Sequence, residues 1–148
     1  MTKITILALK KQLLFVVFAT VLSFPACNPD EISNIPLVQV NFQYNINLPQ
    51  YINLQTIGGS VEVFGGSRGI ILYRSSSDEI KAYDRHCTFE PSNTCGLVSA
   101  DPNRFTATDN CCGSSFLLST GDVSKPPAIL PLKQYTANFN DPILTVTN

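Results

Sequence analysis

The stretch LVQVNFQYNINL, residues 37–48, constrains the fold more than any other part of the chain. Val38, Val40, Phe42, Tyr44, Ile46 and Leu48 alternate without a break with Gln39, Asn41, Gln43, Asn45 and Asn47. Successive side chains of a strand point to opposite faces, so this period of two predicts a strand with one buried face. A strand over 37–48 is long enough to bend or to serve two sheets, and Pro49 should end it. Val61–Phe64 and Gly69–Arg74 predict a hairpin turning at Gly65–Gly66, with a loop of about four residues. Further strands are expected at Ile80–Asp84, 104–108 and 115–120, and a closing hairpin over 132–139 and 142–148, around Asn140–Asp141. No segment shows the periodicity of a three-turn amphipathic helix. Scattered prolines with many β-branched and aromatic residues point to an all-β domain.

The chain has 148 residues, enough for one domain with a tail. Residues 1–26 read as an export signal. Lys3, Lys10 and Lys11 give a basic start, residues 13–24 an apolar core, and Ala26 a small residue before the cut. The core is shorter than the roughly 20 residues of a membrane span. LSFPAC is similar to the lipobox of bacterial lipoproteins, with Phe24 at the usual Leu position. That similarity implies lipidation of Cys27, a tether over residues 27–36, and a domain over 37–148 held at the bacterial cell envelope. The signal holds three of the ten Lys and Arg and none of the eleven acids, leaving a net charge near −4. No basic stripe is present, which argues against nucleic acid as partner. The lipobox similarity implies that the membrane is reached through the lipid.

Four cysteines remain. Cys87 and Cys95 follow the strand near Tyr83; Cys111 and Cys112 follow the one near Phe105. Four thiolates suit tetrahedral zinc, but structural zinc sites space their cysteines two to four residues apart on a knuckle. Here the spacings are seven intervening residues and none. Outside the reducing cytosol, loop cysteines in even number more often form disulfides. The residues favour two disulfides and no metal, and leave the pairing open.

From Gly113 to Tyr135 the order and spacing of residues resemble the Rieske iron–sulfur domain. Cys111, Cys112, Gly113, Ser114 and Phe116 align with the family's Cys-His-Gly-Ser-x-aromatic segment. Gly121 and Val123 match its turn, and Lys125–Pro126–Pro127–Ala128 its proline loop, with Pro126 in place of glycine. Pro131, Leu132 and Tyr135 match the return strand, and Cys87 and Thr88 the start of the first loop. The resemblance implies a small β-sandwich or barrel with two Cys-bearing loops and a proline loop.

It also implies where a cluster would sit. A Rieske [2Fe-2S] cluster takes two Cys on one iron and two His on the other. Cys87 holds the first Cys position. Phe89 stands at the first His, Asp109 at the second Cys and Cys112 at the second His. Phe89 has no ligand atom and is expected to plug the cluster space. The lone histidine, His86, precedes Cys87 instead of following it, and is expected as a hydrogen-bonded surface residue. Cys95 and Cys111 match the disulfide that braces the family's loops, which leaves Cys87 to pair with Cys112. Crossed pairing of the adjacent cysteines is the rival. The signal lacks the twin arginines of the export route for folded, cluster-loaded cargo.

These residues lead to a cluster-free, disulfide-stabilised envelope lipoprotein with a structural or recognition role. The alternative is electron transfer through a [2Fe-2S] cluster held by Cys87, Cys95, Cys111 and Cys112, or with His86. An enzyme ranks last: no nucleophile triad, phosphate cradle or metalloprotease helix is present. Asp84 and Asp109 read as solvated charges near His86. Phe89, Pro91, Phe116, Pro126 and Pro127 form a rim that would dock an envelope protein partner, unless these residues simply pack on one another.

Overall fold

The computed structural model describes residues 35–102 and 105–148. The export signal and Cys27 lie outside the described residues, as does most of the tether. Among the described residues ten strands form two antiparallel sheets. The larger contains β1 (Asn41–Asn45), β2 (Ser60–Val63), β3 (Ile70–Arg74), β4 (Ile80–Asp84), β9 (Gln134–Asn140) and β10 (Ile143–Thr147), in the order β1-β10-β9-β4-β3-β2. The smaller contains β5 (Val98–Ala100), β6 (Thr106–Asp109), β7 (Ser115–Leu117) and β8 (Val123–Lys125), in sequence order. The small sheet is thus an insertion between β4 and β9, which pair directly through Ala82↔Tyr135 and Tyr83↔Gln134.

Two cores share the central strands. Ile70, Leu72, Ile80 and Ala82 join Leu144, Val146 and Leu54, the last on a 3-10 helix at Pro49–Gln55. The intervening residues Ile71, Tyr73 and Tyr83 turn to the opposite face. There they meet Val98, Ala107 and Phe116 of the small sheet. Strands β3 and β4 are therefore buried on both faces, which is why Ile70–Tyr73 is an uninterrupted apolar run.

The alternating stretch behaves differently from expectation. Its regular strand covers only Asn41–Asn45 and lies at the sheet edge, paired on one side with β10 from Asn41↔Thr147 to Asn45↔Ile143. Val40 and Ile46 are buried, but Phe42 is 37% exposed. An edge strand has a neighbour on one side only, so its central ring lies at the rim, against Gly65. Pro49 does not merely end the strand; it opens the 3-10 helix that caps the first core. The short strands β5 and β8 and this helix left no periodic signal in the sequence.

Asp84, at the end of β4, organises the point where the insertion leaves the large sheet. Its side chain is fully buried. One carboxylate oxygen accepts from the Ser67 backbone N–H at 2.6 Å and the Tyr135 hydroxyl at 2.6 Å. The other accepts from the N–H groups of His86 at 2.8 Å and Arg68 at 3.3 Å. Burial, and then the neighbouring Asp84, push the Tyr135 phenol above its ordinary range, so it stays a donor. Gly66 has φ +59°, and a Cβ there would lie 2.5 Å from the Asp84 carboxylate and 2.6 Å from the Tyr135 hydroxyl. Only glycine lets the turn come this close.

Two stability orders follow, both measurable by urea denaturation. Val40→Asp should cost several kcal/mol, since it buries a carboxylate without a partner, and Gln43→Asp, on the exposed side, should be nearly neutral. Equal losses would mean that the buried face is misassigned. Asp84→Ala strands four donors at once and should cost about 3 kcal/mol or more, whereas Tyr135→Phe removes one of them and should cost about 1 kcal/mol. A reversed order would remove Asp84 from the centre of this network.

Candidate functional site

The insertion presents three loops at one end of the small sheet. The first, residues 85–97, runs from β4 to β5. It is held by Arg85, whose side chain donates to the Val98 carbonyl at 2.8 Å and the Ser99 hydroxyl at 2.9 Å and pairs with Glu62 at 2.9 Å. An isolated bridge joins His86 to Leu97. The second loop, residues 110–114, turns between β6 and β7 and is closed by the Gly113 N–H donating to the Asp109 carbonyl at 2.8 Å. The third is the proline loop, residues 126–131, between β8 and β9. The Thr88 hydroxyl donates to the Leu130 carbonyl at 2.7 Å, and the Ala128 N–H to the buried Ser114 hydroxyl at 2.9 Å. Both cysteine loops are thereby fastened to the proline loop.

The cysteines divide into an outer bonded pair and an inner free pair. Cys95 and Cys111 form a disulfide, with Cα atoms 5.8 Å apart. Both residues are exposed. Cys87 and Cys112, expected to form a second bond, are free thiols whose sulfurs lie 3.7 Å apart. That is well beyond the roughly 2.05 Å of a disulfide. The Cys112 thiol is engaged elsewhere, 3.1 Å from the Ser114 hydroxyl and 3.4 Å from Asp109 Oδ2.

Asp109 is the member of this group that sequence reasoning placed wrongly. It was expected as a solvated surface charge; it is 1% exposed. Its Oδ1 accepts from the Cys111 N–H at 2.8 Å, which fixes the carboxylate and aims Oδ2 at the two free thiols. The ligand-type atoms of Cys87, Asp109 and Cys112 all lie within 4.8 Å of one another. Burial, and then the hydrogen bond to Asp109, push the Cys87 thiol well above its ordinary pKa, so it is held as a neutral thiol beside the carboxylate. Asp84 is likewise buried, but serves the network at the insertion point and does not join Asp109.

His86 also departs from expectation. It is buried, at 4% exposure, not on the surface. Nε2 lies 2.7 Å from the Pro91 carbonyl and Nδ1 2.8 Å from the Ser67 hydroxyl. A carbonyl can only accept, so Nε2 donates to Pro91, while Nδ1 shares a hydrogen bond with the Ser67 hydroxyl. Both ring nitrogens are committed, and His86 stands outside the donor group. Arg68, which no sequence pattern singled out, closes the same loop by donating to the Gly96 carbonyl at 2.5 Å. Of the expected rim, Phe116 is fully buried in the second core and Phe89 packs half-buried against it, while Pro126 and Pro127 are exposed.

This donor set does not fit a [2Fe-2S] cluster. At the family's fourth ligand position this chain has Phe89, whose ring carries no ligand atom. Cys87 and Cys112 occupy positions that serve different irons in a Rieske centre, and 3.7 Å between their sulfurs leaves no room for two irons. The Cys95 and Cys111 sulfurs are consumed by their own bond.

No protein-family model matches the chain, and no curated protein matches it. Among solved structures it is similar to the cyanobacterial plasma membrane Rieske protein PetC3 from Synechocystis PCC 6803. The TM-score is 0.50 at 22% identity, over 60% of this chain and 86% of that one. A weaker likeness, with TM-score 0.47 at 13% identity, links it to the ferredoxin of carbazole 1,9a-dioxygenase from Nocardioides aromaticivorans IC177, over 75% of this chain and 98% of that one. With its two sheets, proline loop and cysteine loops, the domain has a divergent Rieske-type fold whose ligand positions hold Cys87, Asp109 and Cys112 in place of two cysteines and two histidines.

Proposed function

We propose that this chain is a bacterial envelope lipoprotein whose Rieske-type domain carries no iron–sulfur cluster and serves a structural or recognition role. The observation that carries this reading is the donor set. Three of the four ligand positions offer an atom, the fourth is Phe89, and two of the four sulfurs are locked in the Cys95–Cys111 bond. Electron transfer through an altered cluster would need Cys95 and Cys111 released and the inner thiols moved apart. Catalysis by the lone histidine has no support either, since both nitrogens of His86 are engaged in holding the first loop.

Recognition is supported by the surface beside the site. The proline loop carries exposed Pro126 and Pro127 and then Ile129, whose side chain is 89% exposed. The same loop is anchored by Ala128 to Ser114 and by Leu130 to Thr88, so the apolar residues stand on a braced support. A rigid apolar edge of this kind suits docking of an envelope protein. Attachment through Cys27 rests on the sequence pattern of residues 1–27.

Two measurements test the reading. Protein extracted from the envelope without reductant should contain neither stoichiometric iron nor acid-labile sulfide, and should lack visible absorption. Near-equimolar iron and sulfide would overturn the cluster-free assignment. Mass spectrometry of the mature N-terminus should find a lipid on Cys27; an unmodified Cys27, or retention of residues 1–26, would remove the anchor.

A further inference from the structure

The inner sulfur pair is neither a disulfide nor half of a two-iron site, and its dimensions suit a third chemistry. Zinc–sulfur bonds of about 2.3 Å and zinc–oxygen bonds of about 2.0 Å, at the tetrahedral angle, place two thiolates about 3.8 Å apart and a thiolate and a carboxylate oxygen about 3.5 Å apart. The sulfurs of Cys87 and Cys112 are 3.7 Å apart. Cys112 Sγ and Asp109 Oδ2 are 3.4 Å apart. We propose that Cys87, Asp109 and Cys112 form a mononuclear site for a thiophilic divalent cation of the zinc class, with a fourth position open beside the half-buried Cys112.

The surroundings are those of a supported metal site. Asp109 Oδ1 is already bonded to the Cys111 N–H, so Oδ2 is the free ligand atom. The Ser114 N–H lies 3.5 Å from the Cys112 sulfur, and the Ser114 hydroxyl is itself oriented by Ala128. Such outer partners hold ligands in place. A cation with two thiolates and one carboxylate leaves one negative charge, and the Arg68 guanidinium stands close by. A Cβ at Gly96 would lie 3.3 Å from Cys87 Cβ, 3.4 Å from Arg68 Nη1 and 3.5 Å from Asp109 Oδ2. Position 96 therefore borders two ligands and the compensating charge, and a larger residue would crowd all three.

Binding is a proton-for-metal exchange. The ion enters, both thiol protons leave to solvent, and no electron moves. The bound ion would also keep the two thiols reduced where an oxidant would otherwise join them. Cysteine spacing argued against zinc because it counted four thiolates on knuckles. The fold instead takes one cysteine from each loop and adds a carboxylate.

The proposal rests on the cluster-free reading. The full mature chain, reduced only at the inner pair and freed of metal, would be titrated with Co2+ and then Zn2+. One Co2+ per chain should give the intense visible bands of tetrahedral coordination with thiolate charge transfer, and Zn2+ should bleach them. Asp109→Asn keeps the bond to the Cys111 N–H but loses a charged ligand; it should weaken zinc binding by more than the roughly tenfold to hundredfold that loss of an outer partner brings, with an unchanged circular dichroism spectrum. Cys112→Ser should cut the charge-transfer intensity, whereas Cys111→Ser should retain it. No tetrahedral cobalt spectrum, or equal zinc affinity in wild type, Asp109→Asn and Cys112→Ser, would overturn the site. A Cys87–Cys112 disulfide in protein taken directly from the envelope would overturn it as well. Stoichiometric iron with sulfide would sink both readings; absence of zinc binding without iron or sulfide would sink this one alone.

Discussion

The buried carboxylate of Asp84 is the interaction on which the rest of the structure depends. It sits where the chain leaves β4 for the small sheet, beside the point where β9 brings it back. A buried charge is costly unless its hydrogen bonds are met, and here four donors meet it, from three separate segments. Ser67 and Arg68 come from the β2–β3 loop, His86 from the first cysteine loop and Tyr135 from β9. Each of those segments then does something else. His86 and Arg68 hold the first loop through Pro91 and Gly96, and Tyr135 packs in the first core. The position of Cys87, next in the chain, is thus set by a charge in the large sheet.

The loops at the other end are governed by sulfur and by one further acid. The outer disulfide lies in solvent and ties loop to loop. Of the inner trio, Cys87 belongs to the second core and Cys112, like Phe89, packs against it. With phenylalanine where the family has a histidine ligand, one donor is lost, and the three that remain lie within 4.8 Å of one another. The domain keeps the loop architecture of a Rieske fold with a different and incomplete set of donors inside it.

Much of this was legible in the residues because it is local. The hairpins at Val61–Arg74 and at 134–147 and the strand Ile80–Asp84 announce themselves by turn chemistry and apolar runs. The loop cysteines could be placed only through resemblance to a known family, since spacing alone left their pairing open. Burial was harder to read. Phe42 was assigned to a core by periodicity, yet periodicity cannot tell a central strand from an edge. Asp84, Asp109 and His86 look like ordinary surface polar residues; what buries them is contact with Ser67, Tyr135, Pro91 and Cys112, all distant in sequence or brought near by a turn. Arg68 carries no local signal at all.

The insertion of the small sheet between paired strands has a kinetic side. β4 and β9 can meet only after the chain between them is closed, and for roughly fifty residues the length-dependent part of that closure is about 3.5 kcal/mol. Once β5 to β8 are folded, their ends already lie together, and the closure is largely settled before β9 docks. Anything that holds the small sheet, whether the Cys95–Cys111 bond or an ion between the inner thiols, then shortens the effective loop. In a folding order that completes the small sheet first, assembly of the large sheet would depend on chemistry at loops the sheet does not itself contain.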